Sequence, residues 1–393
     1  MRITQIVREF SQTGGVEHVA YELHQAWSRL GIDARVLTAS VATAGDRSVA
    51  DLVVPWVSRI ATRGRGRYFG RMIVVPLFTL AATWQLRRSR GERMIVSHGD
   101  SLVGDICVIH AVNKASVAEK RRIGNRLWML NPMHAWVGWR DRHMIGGLRF
   151  RRYVAVSARV VEELVRFYGV TADRIVVIPN GVNIERFRPE AGEREAARRE
   201  FGVPLAAPLL LFAGHEFERK GLAYVIAALP LLEPEVRLLV VGSGDPAPYR
   251  AMAAQTGVAD RVVFAGGRSD LPRIYPAADA FVFPTYYESF ALVGMEAMAS
   301  GLPLFATRVG GIEDYLSDGY NGHFIERDAA DIAARLRPVL DDPDRLRRLG
   351  LGARATAERY AWPKIAAQYA SLLASLQQEP DIMVQPEMAS AAS

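Results

Sequence analysis

A single cysteine in 393 residues, Cys107, excludes an intrachain disulfide framework and the small secreted scaffolds that need one. It sits in the apolar run Ile106-Cys107-Val108-Ile109 and reads as a small buried hydrophobe. No secretory leader is recognisable: Met1-Arg2-Ile3-Thr4-Gln5-Ile6-Val7 is charged at once and reads as a strand. Long apolar runs are missing too. The most apolar window, 72–86, has 15 residues and contains Pro76, short of the roughly 20 that a spanning helix needs. The expectation is a cytoplasmic protein. No Cys/His cluster has metal-ligand spacing and no Asp-x-Asp stands at a strand end, so neither a metal nor another cofactor is expected. The glycine fingerprint of dinucleotide binding is incomplete in both Thr13-Gly14-Gly15-Val16 and Val241-Gly242-Ser243-Gly244-Asp245.

What is present is a globular composition, half hydrophobic and 23% charged, with enough chain for two cores. The net charge of +7 is unevenly spread. Residues 1–178 hold 27 Lys and Arg against 14 Asp and Glu, whereas the remainder holds 22 against 28. A basic first half joined to an acidic second half implies that only the first meets an anionic surface or substrate. Arg63, Arg65, Arg67 and Arg71 form a basic cluster, but no nucleic-acid recognition module accompanies it, and no nucleic-acid partner is expected.

Short apolar runs alternate with amphipathic helical patterns. Residues 2–7, 34–37, 175–178, 209–213, 236–241, 262–265, 280–284 and 303–307 read as strands. Residues 16–30, 222–232, 246–256, 270–277 and 290–300 read as helices, and 354–376 as a helix broken near Trp362-Pro363. The alternation predicts an α/β protein with parallel sheets, whose ligands bind at the carboxyl ends of the strands. The turn Pro179-Asn180-Gly181-Val182 marks a boundary. The predicted domains are 1–178 and 179–360, with a C-terminal helix at 361–376. Residues 377–393, rich in Gln, Glu, Pro, Ser and Ala, read as a disordered tail.

Three stretches carry candidate chemistry. In Tyr287-Glu288-Ser289-Phe290-Ala291-Leu292-Val293-Gly294-Met295-Glu296-Ala297, Ser289 is a candidate N-cap for a helix over 290–300. Free N–H groups near Ala291, Leu292 and Val293, with the helix dipole, would cradle a diphosphate. Glu288 and Glu296 would accept hydrogen bonds from sugar hydroxyls. In Gly214-His215-Glu216-Phe217-Glu218-Arg219-Lys220-Gly221, adjacent cations follow a strand and can neutralise a leaving diphosphate. Gly14 and Gly15 open the first helix and permit close approach of an anion. His98 and His110 flank strand ends in the first half.

Together these pieces resemble a family 4 retaining glycosyltransferase of the GT-B fold, over roughly residues 3–375. The resemblance extends to Val154-Ala155-Val156-Ser157, Phe264-Ala265-Gly266, Gly301-Leu302-Pro303 and Val309-Gly310-Gly311. It implies two Rossmann-like domains facing across a cleft, an N-terminal acceptor domain and a C-terminal donor domain, with the last helix returning to the first domain. It further implies that Glu288 meets the donor sugar, with Phe290 beside it, and Glu296 the ribose. Arg219 and Lys220 would bind the diphosphate, Gly15 would approach the phosphate, His110 would lie near the transferred sugar, and backbone around Arg268 would meet the base. The implied activity is metal-independent, retaining transfer of a hexose from a UDP- or GDP-sugar to a glycan or lipid-linked acceptor. The adjacent Arg-Lys pair is similar to the lipopolysaccharide-core branch, which places the reaction in cell-envelope polysaccharide synthesis. The alternatives are a GT-B epimerase or phosphorylase, or, in another class, a basic nucleic-acid- or membrane-binding protein.

A membrane contact is also expected. Arg63, Arg65, Arg67 and Arg71 surround Tyr68 and Phe69 ahead of the apolar run 72–80. Lys120, Arg121, Arg122 and Arg126 precede Leu127-Trp128-Met129-Leu130, with Trp136 and Trp139 soon after. Cations beside aromatic and aliphatic residues suit peripheral docking on the inner face of an anionic bilayer.

Overall fold

A computed structural model describes residues 1–42, 44–55, 66–88, 91–122 and 133–379. The chain divides into two compact units, Met1–Pro179 together with the segment from Trp362 onward, and Asn180–Ala361.

The first unit is built on a seven-stranded sheet. Its strands are β1 (Arg2–Ile6), β3 (Asp33–Thr38), β5 (Ala50–Leu52), β6 (Met94–Ser97), β7 (Gly104–Ile109), β8 (Phe150–Ala155) and β9 (Ile175–Val177). Their order is β5-β3-β1-β6-β7-β8-β9, and every pairing is parallel. A separate two-stranded pair joins β2 (Glu9–Phe10) to β4 (Ser40–Val41). The chain winds outward from β1 through β3 and then crosses to β6, so the sheet's switch point lies between β1 and β6. That is where a doubly wound sheet opens a crevice for ligands.

Helix Val16–Arg29 covers one face, with Val19, Ala20, Leu23, Ala26 and Trp27 buried at helical spacing. Trp27 packs edge-on against Tyr369 with ring centroids 6.0 Å apart and donates its indole N–H to the Ala366 carbonyl at 3.3 Å. These contacts bring the last helix, Trp362–Gln378, back to the first unit. Truncating Trp27 to alanine should cost about 3–5 kcal/mol. The helix runs past the predicted end at 376; its buried Leu373 and Leu376 carry the apolar stripe to its last turn. Residues 380–393 lie outside the described residues.

Helix Gly66–Arg88 runs through Pro76 without ending there. One face buries Val74, Val75, Phe78, Ala82 and Leu86. That burial, at about 1.5–3 kcal/mol per large side chain, outweighs the roughly 3 kcal/mol cost of an internal proline.

The second unit holds six parallel strands: β10 (Leu209–Ala213), β11 (Arg237–Val241), β12 (Val262–Gly266), β13 (Ala280–Phe283), β14 (Leu304–Ala306) and β15 (Gly322–Phe324). Their order is β12-β11-β10-β13-β14-β15. All five residues of β10 and all four of β13 are buried, which is why both read as unbroken apolar runs and not as alternating ones. The switch point here lies between β10 and β13.

Candidate functional site

In the second unit, the strand order decides which loops meet. Because β10 and β13 are neighbours, with Leu210 opposite Ala280, the loops that leave their carboxyl ends lie side by side. Helix Phe217–Lys220 follows β10 and ends at Gly221, whose φ of +79° is left-handed. A Cβ at Gly221 would stand 2.2 Å from the Pro284 carbonyl oxygen, so only glycine lets the two loops approach this closely.

This contact brings Arg219 and Lys220 to Glu288. Lys220 Nζ donates to Glu288 Oε1, and Thr285 Oγ1 lies 3.1 Å from the same oxygen. Arg219 reaches the Tyr287 carbonyl at 2.5 Å, Glu216 at 2.7 Å and Glu288 Oε1 at 3.4 Å. Lys220 also lies over the Phe283 ring, 4.9 Å from its centroid. Burial pushes the Lys220 ammonium below its ordinary pKa; Glu288 opposes that shift and Arg219 adds to it. The result is a partly buried locus in which two cations, Arg219 and Lys220, are paired with two carboxylates, Glu288 and Glu216. At an effective dielectric near 20, a charge 4 Å away interacts by about 4 kcal/mol, so an anion arriving here competes with Glu288 and Glu216 for both cations.

The helix after β13 begins later than the sequence predicts. It spans Leu292–Ala299, and its N-cap is Ala291, not Ser289. Ala291 has φ +66° and ψ +69°, a left-handed conformation that costs a non-glycine residue about 1–2 kcal/mol. The cause lies in the neighbouring loop. Gly310, at φ +55°, packs so tightly that a Cβ would stand 1.6 Å from the Glu288 carbonyl oxygen, and the Gly311 N–H donates to the Ser289 carbonyl at 3.0 Å. These contacts hold 288–290 outside the helix, and the chain enters it through Ala291. The N–H groups of Gly294 and Met295 bond to the Ala291 carbonyl, which leaves those of Leu292 and Val293 at the open end. Phe290 is buried against Tyr315, with ring centroids 5.5 Å apart, so its side chain serves packing.

Glu296 lies one helix face further in, where the buried Tyr275 hydroxyl stands 3.1 Å from its Oε2 and 3.1 Å from the Val293 carbonyl. Arg268 follows β12, and its side chain is committed to Asp270, at 2.8 and 2.7 Å, and to Glu200, at 2.8 Å. Any contact with a base at this position therefore falls to the backbone. The structure brings Arg219, Lys220 and Glu288 into direct contact; Glu296 and Arg268 stand apart from them. Thr285 and Tyr275 escaped the sequence reading. Each is a polar group beside a buried strand or helix, a signal too common to select.

In the first unit, the switch point holds a cavity of about 340 Å³. Arg8 and Glu17 line it from the β1 side, His98, Gly99 and Asp100 from β6, and His110 from β7. Gly15 is the N-cap of the first helix with open space where a Cβ would be, and Gly14 precedes it at φ +103°. The Arg8 N–H donates to Asp100 at 2.8 Å, and the Arg8 guanidinium pairs with Glu17 at 3.2 Å. Burial lowers the His110 pKa to about 4 and drives that of His98 well down, so both rings are neutral at pH 7. Among the described residues, no group of three or more His, Cys, Asp or Glu could hold a metal ion.

Comparison with known proteins covers most of the chain. Residues 13–186 match the family described as Glycosyltransferase Family 4, and residues 193–356 match that described as Glycosyl transferases group 1. A D-inositol 3-phosphate glycosyltransferase of Xylanimonas cellulosilytica is 41% identical over 226 residues, 54% of each chain. Its counterpart in Nocardia farcinica is 38% identical over 229 residues, 55% of this chain and 50% of that one. The chain spans about half the length of these curated relatives. Among solved structures, WaaG, a glycosyltransferase involved in lipopolysaccharide biosynthesis, superposes with a TM-score of 0.75 at 21% identity, over 94% of this chain and 99% of that one. Anabaena HepE, solved with UDP and glucose, gives 0.70 at 18% identity, over 95% and 100%. At these identities the likeness is one of fold.

Proposed function

The chain belongs to the glycosyltransferases of the GT-B fold, a family 4 domain followed by a group 1 domain, and on that premise we propose that it moves a hexose from a UDP- or GDP-sugar to an acceptor hydroxyl with retention of configuration. The observation that carries this reading is the meeting of Arg219, Lys220 and Glu288 beside the open start of helix Leu292–Ala299. Breaking the bond between the anomeric carbon and the diphosphate oxygen sends the electron pair to that oxygen. Arg219, Lys220 and the N–H groups of Leu292 and Val293 offset the charge it acquires. Glu288 accepts from donor-sugar hydroxyls and Glu296 from the ribose. The acceptor oxygen bonds to the same face of the anomeric carbon, and its proton passes to the departing phosphate oxygen, so no enzymic nucleophile and no metal take part.

The test is a thermal-shift screen of UDP- and GDP-sugars followed by product analysis with and without acceptor. A ligand at a hundred times its Kd should stabilise the folded protein by about 2.7 kcal/mol. Conversion of the sugar nucleotide without an acceptor would favour the epimerase reading. Failure of every sugar nucleotide to bind would overturn donor use altogether.

For the acceptor, a lipid-linked glycan is the reading that one surface favours. Helix Gly66–Arg88 exposes Ile73, Leu77, Leu80 and Trp84 at i, i+4, i+7 and i+11, one continuous apolar stripe. Arg88 covers the Trp84 ring at 3.6 Å. Such a stripe beside cations suits the interface of an anionic bilayer. No described helix is long and apolar enough to cross a membrane. Of the basic residues first implicated, Arg63, Arg65 and Arg126 lie outside the described residues, as do the side chains of Arg67, Arg71, Lys120, Arg121 and Arg122. The relatives' names point to an inositol phosphate, a water-soluble acceptor and the competing reading.

A further inference from the structure

Beneath the first unit's cavity runs a buried chain of polar groups that the transfer chemistry does not itself require. Gln5 Nε2 donates to the Ala20 carbonyl at 2.9 Å and lies 2.7 Å from His98 Nε2. His98 Nδ1 lies 2.9 Å from His110 Nε2. Gln5 and His98 are both buried, and the two imidazole planes are only 17° apart, the arrangement of an in-plane N–H···N bond.

The direction of each bond follows from which atoms can donate. The Ala20 carbonyl only accepts, so the Gln5 atom facing it is the amide nitrogen. Turning the amide over would set two carbonyl oxygens 2.9 Å apart, a worse outcome than the buried, unpaired Oε1 it now has. The second N–H of that nitrogen points to His98 Nε2, which must accept. A neutral His98 then carries its proton on Nδ1 and donates to His110 Nε2. Since His110 Nε2 accepts, its proton sits on Nδ1. His110 lines the cavity, and Nδ1 is the nitrogen left for a ligand.

We infer that Gln5 and His98 are positioning residues that fix His110 as a hydrogen-bond donor, through Nδ1–H, to an oxygen of the bound sugar. The reversed chain would leave His110 Nδ1 with a lone pair and make the ring a base. The relay forbids that role and presents a neutral donor, suited to a hydroxyl or to an oxygen that gains charge as the bond breaks. The identity of the ligand rests on the transferase reading; the proton's place on the ring does not.

Imidazole nitrogen–proton correlation spectra of the full chain read the tautomer directly, at about pH 8, above the ordinary histidine pKa of roughly 6.5. Spectra of His98→Asn and His110→Asn assign the two rings. Both should carry the proton on Nδ1. A proton on Nε2 of His110, the commoner tautomer in water, overturns the inference. Gln5→Leu removes the donor that orients His98. It should give His110 a mixture of tautomers and lower kcat about tenfold, with the donor KM within about twofold. A folded Gln5→Leu protein with His110 wholly Nδ1-protonated overturns the relay. If Gln5→Leu does not fold, the wild-type spectrum decides. Because the spectra need no substrate, failure of the transferase reading would show in the donor screen alone.

Discussion

Lys220 and Glu288 stand 68 residues apart in sequence and share a hydrogen bond, Nζ to Oε1. The pair neutralises two charges that are each about a tenth exposed, at 12% and 11%, and it joins the loop after β10 to the loop after β13. A diphosphate that draws on Lys220 must share it with Glu288, so donor binding and the placement of Glu288 are coupled through one ammonium group.

Removing that ammonium should be costly. Lys220→Ala forfeits a charge-assisted bond worth about 1.5–3 kcal/mol and leaves Glu288 with the Thr285 hydroxyl and the longer Arg219 contact. Transfer should fall at least tenfold while circular dichroism reports a folded chain. Wild-type turnover in this variant would remove Lys220 from the diphosphate site.

The two glutamates should separate by assay. Glu288→Gln removes the charge that competes for Lys220, so affinity for free UDP or GDP should hold or rise about threefold while transfer drops. Glu296→Gln should weaken nucleotide binding instead, and Tyr275→Phe should do so more mildly, because the Tyr275 hydroxyl holds the carboxylate at 3.1 Å. Equal losses of nucleotide affinity in both glutamate variants would contradict this division.

Ala291 offers a test of strain. Its left-handed backbone favours glycine, so Ala291→Gly should recover about 1 kcal/mol if the loop keeps its shape. Gly310→Ala should do the opposite, because its Cβ would strike the Glu288 carbonyl. A thermal melt in which Ala291→Gly loses stability would show that the buried Ala291 methyl contributes more than the strain costs.

The fold class was legible because parallel strands buried on both faces leave unbroken apolar runs, and Leu209–Ala213 is bounded in the structure where its sequence predicts. The encounter of Arg219, Lys220 and Glu288 was legible only as a motif: nothing local says that residues 220 and 288 touch, because strand order decides it. The start of the second-unit helix was misread for a related reason. Ser289 has the chemistry of an N-cap, but Gly310 and Gly311, about twenty residues on, hold that stretch out of the helix. Gln5 is not singled out by the sequence, because its meaning depends on His98, 93 residues away.

Acid should destabilise the protein through its histidines. Burial lowers the pKa values of His24, His98, His110 and His323 in the folded state, that of His110 to about 4. Between there and the unfolded value near 6.5, the unfolded chain binds more protons. Stability from these groups is therefore full above about pH 6.5 and declines as pH falls toward 4. Thermal melts should show a falling Tm over that window, and His110→Gln should flatten part of the fall. A wild-type Tm that rises on acidification from neutral pH would contradict this.

The membrane prediction turns on helix Gly66–Arg88. Its inner face is occupied by Val75, Phe78, Ala82 and Leu86, whereas Ile73, Leu77, Leu80 and Trp84 are 51%, 38%, 48% and 58% exposed. Four large apolar groups in one line are more than a monomer's scattered surface residues require. Arg87 and Arg88 follow the stripe, and each cation near an anionic leaflet contributes about 1 kcal/mol. Apolar burial alone would be indifferent to headgroup charge, and cations alone would be indifferent to Trp84. Docking by both should therefore respond to both. Liposome sedimentation should rise with anionic lipid and fall with salt. It should weaken about tenfold in Leu80→Ser/Trp84→Ser, and again when Arg63, Arg65 and Arg67 become Gln. Trp84 emission should shift to the blue on binding. If the protein ignores anionic liposomes at low salt, the stripe does not dock on lipid, and a water-soluble acceptor such as the relatives' inositol phosphate takes the place of the lipid-linked glycan.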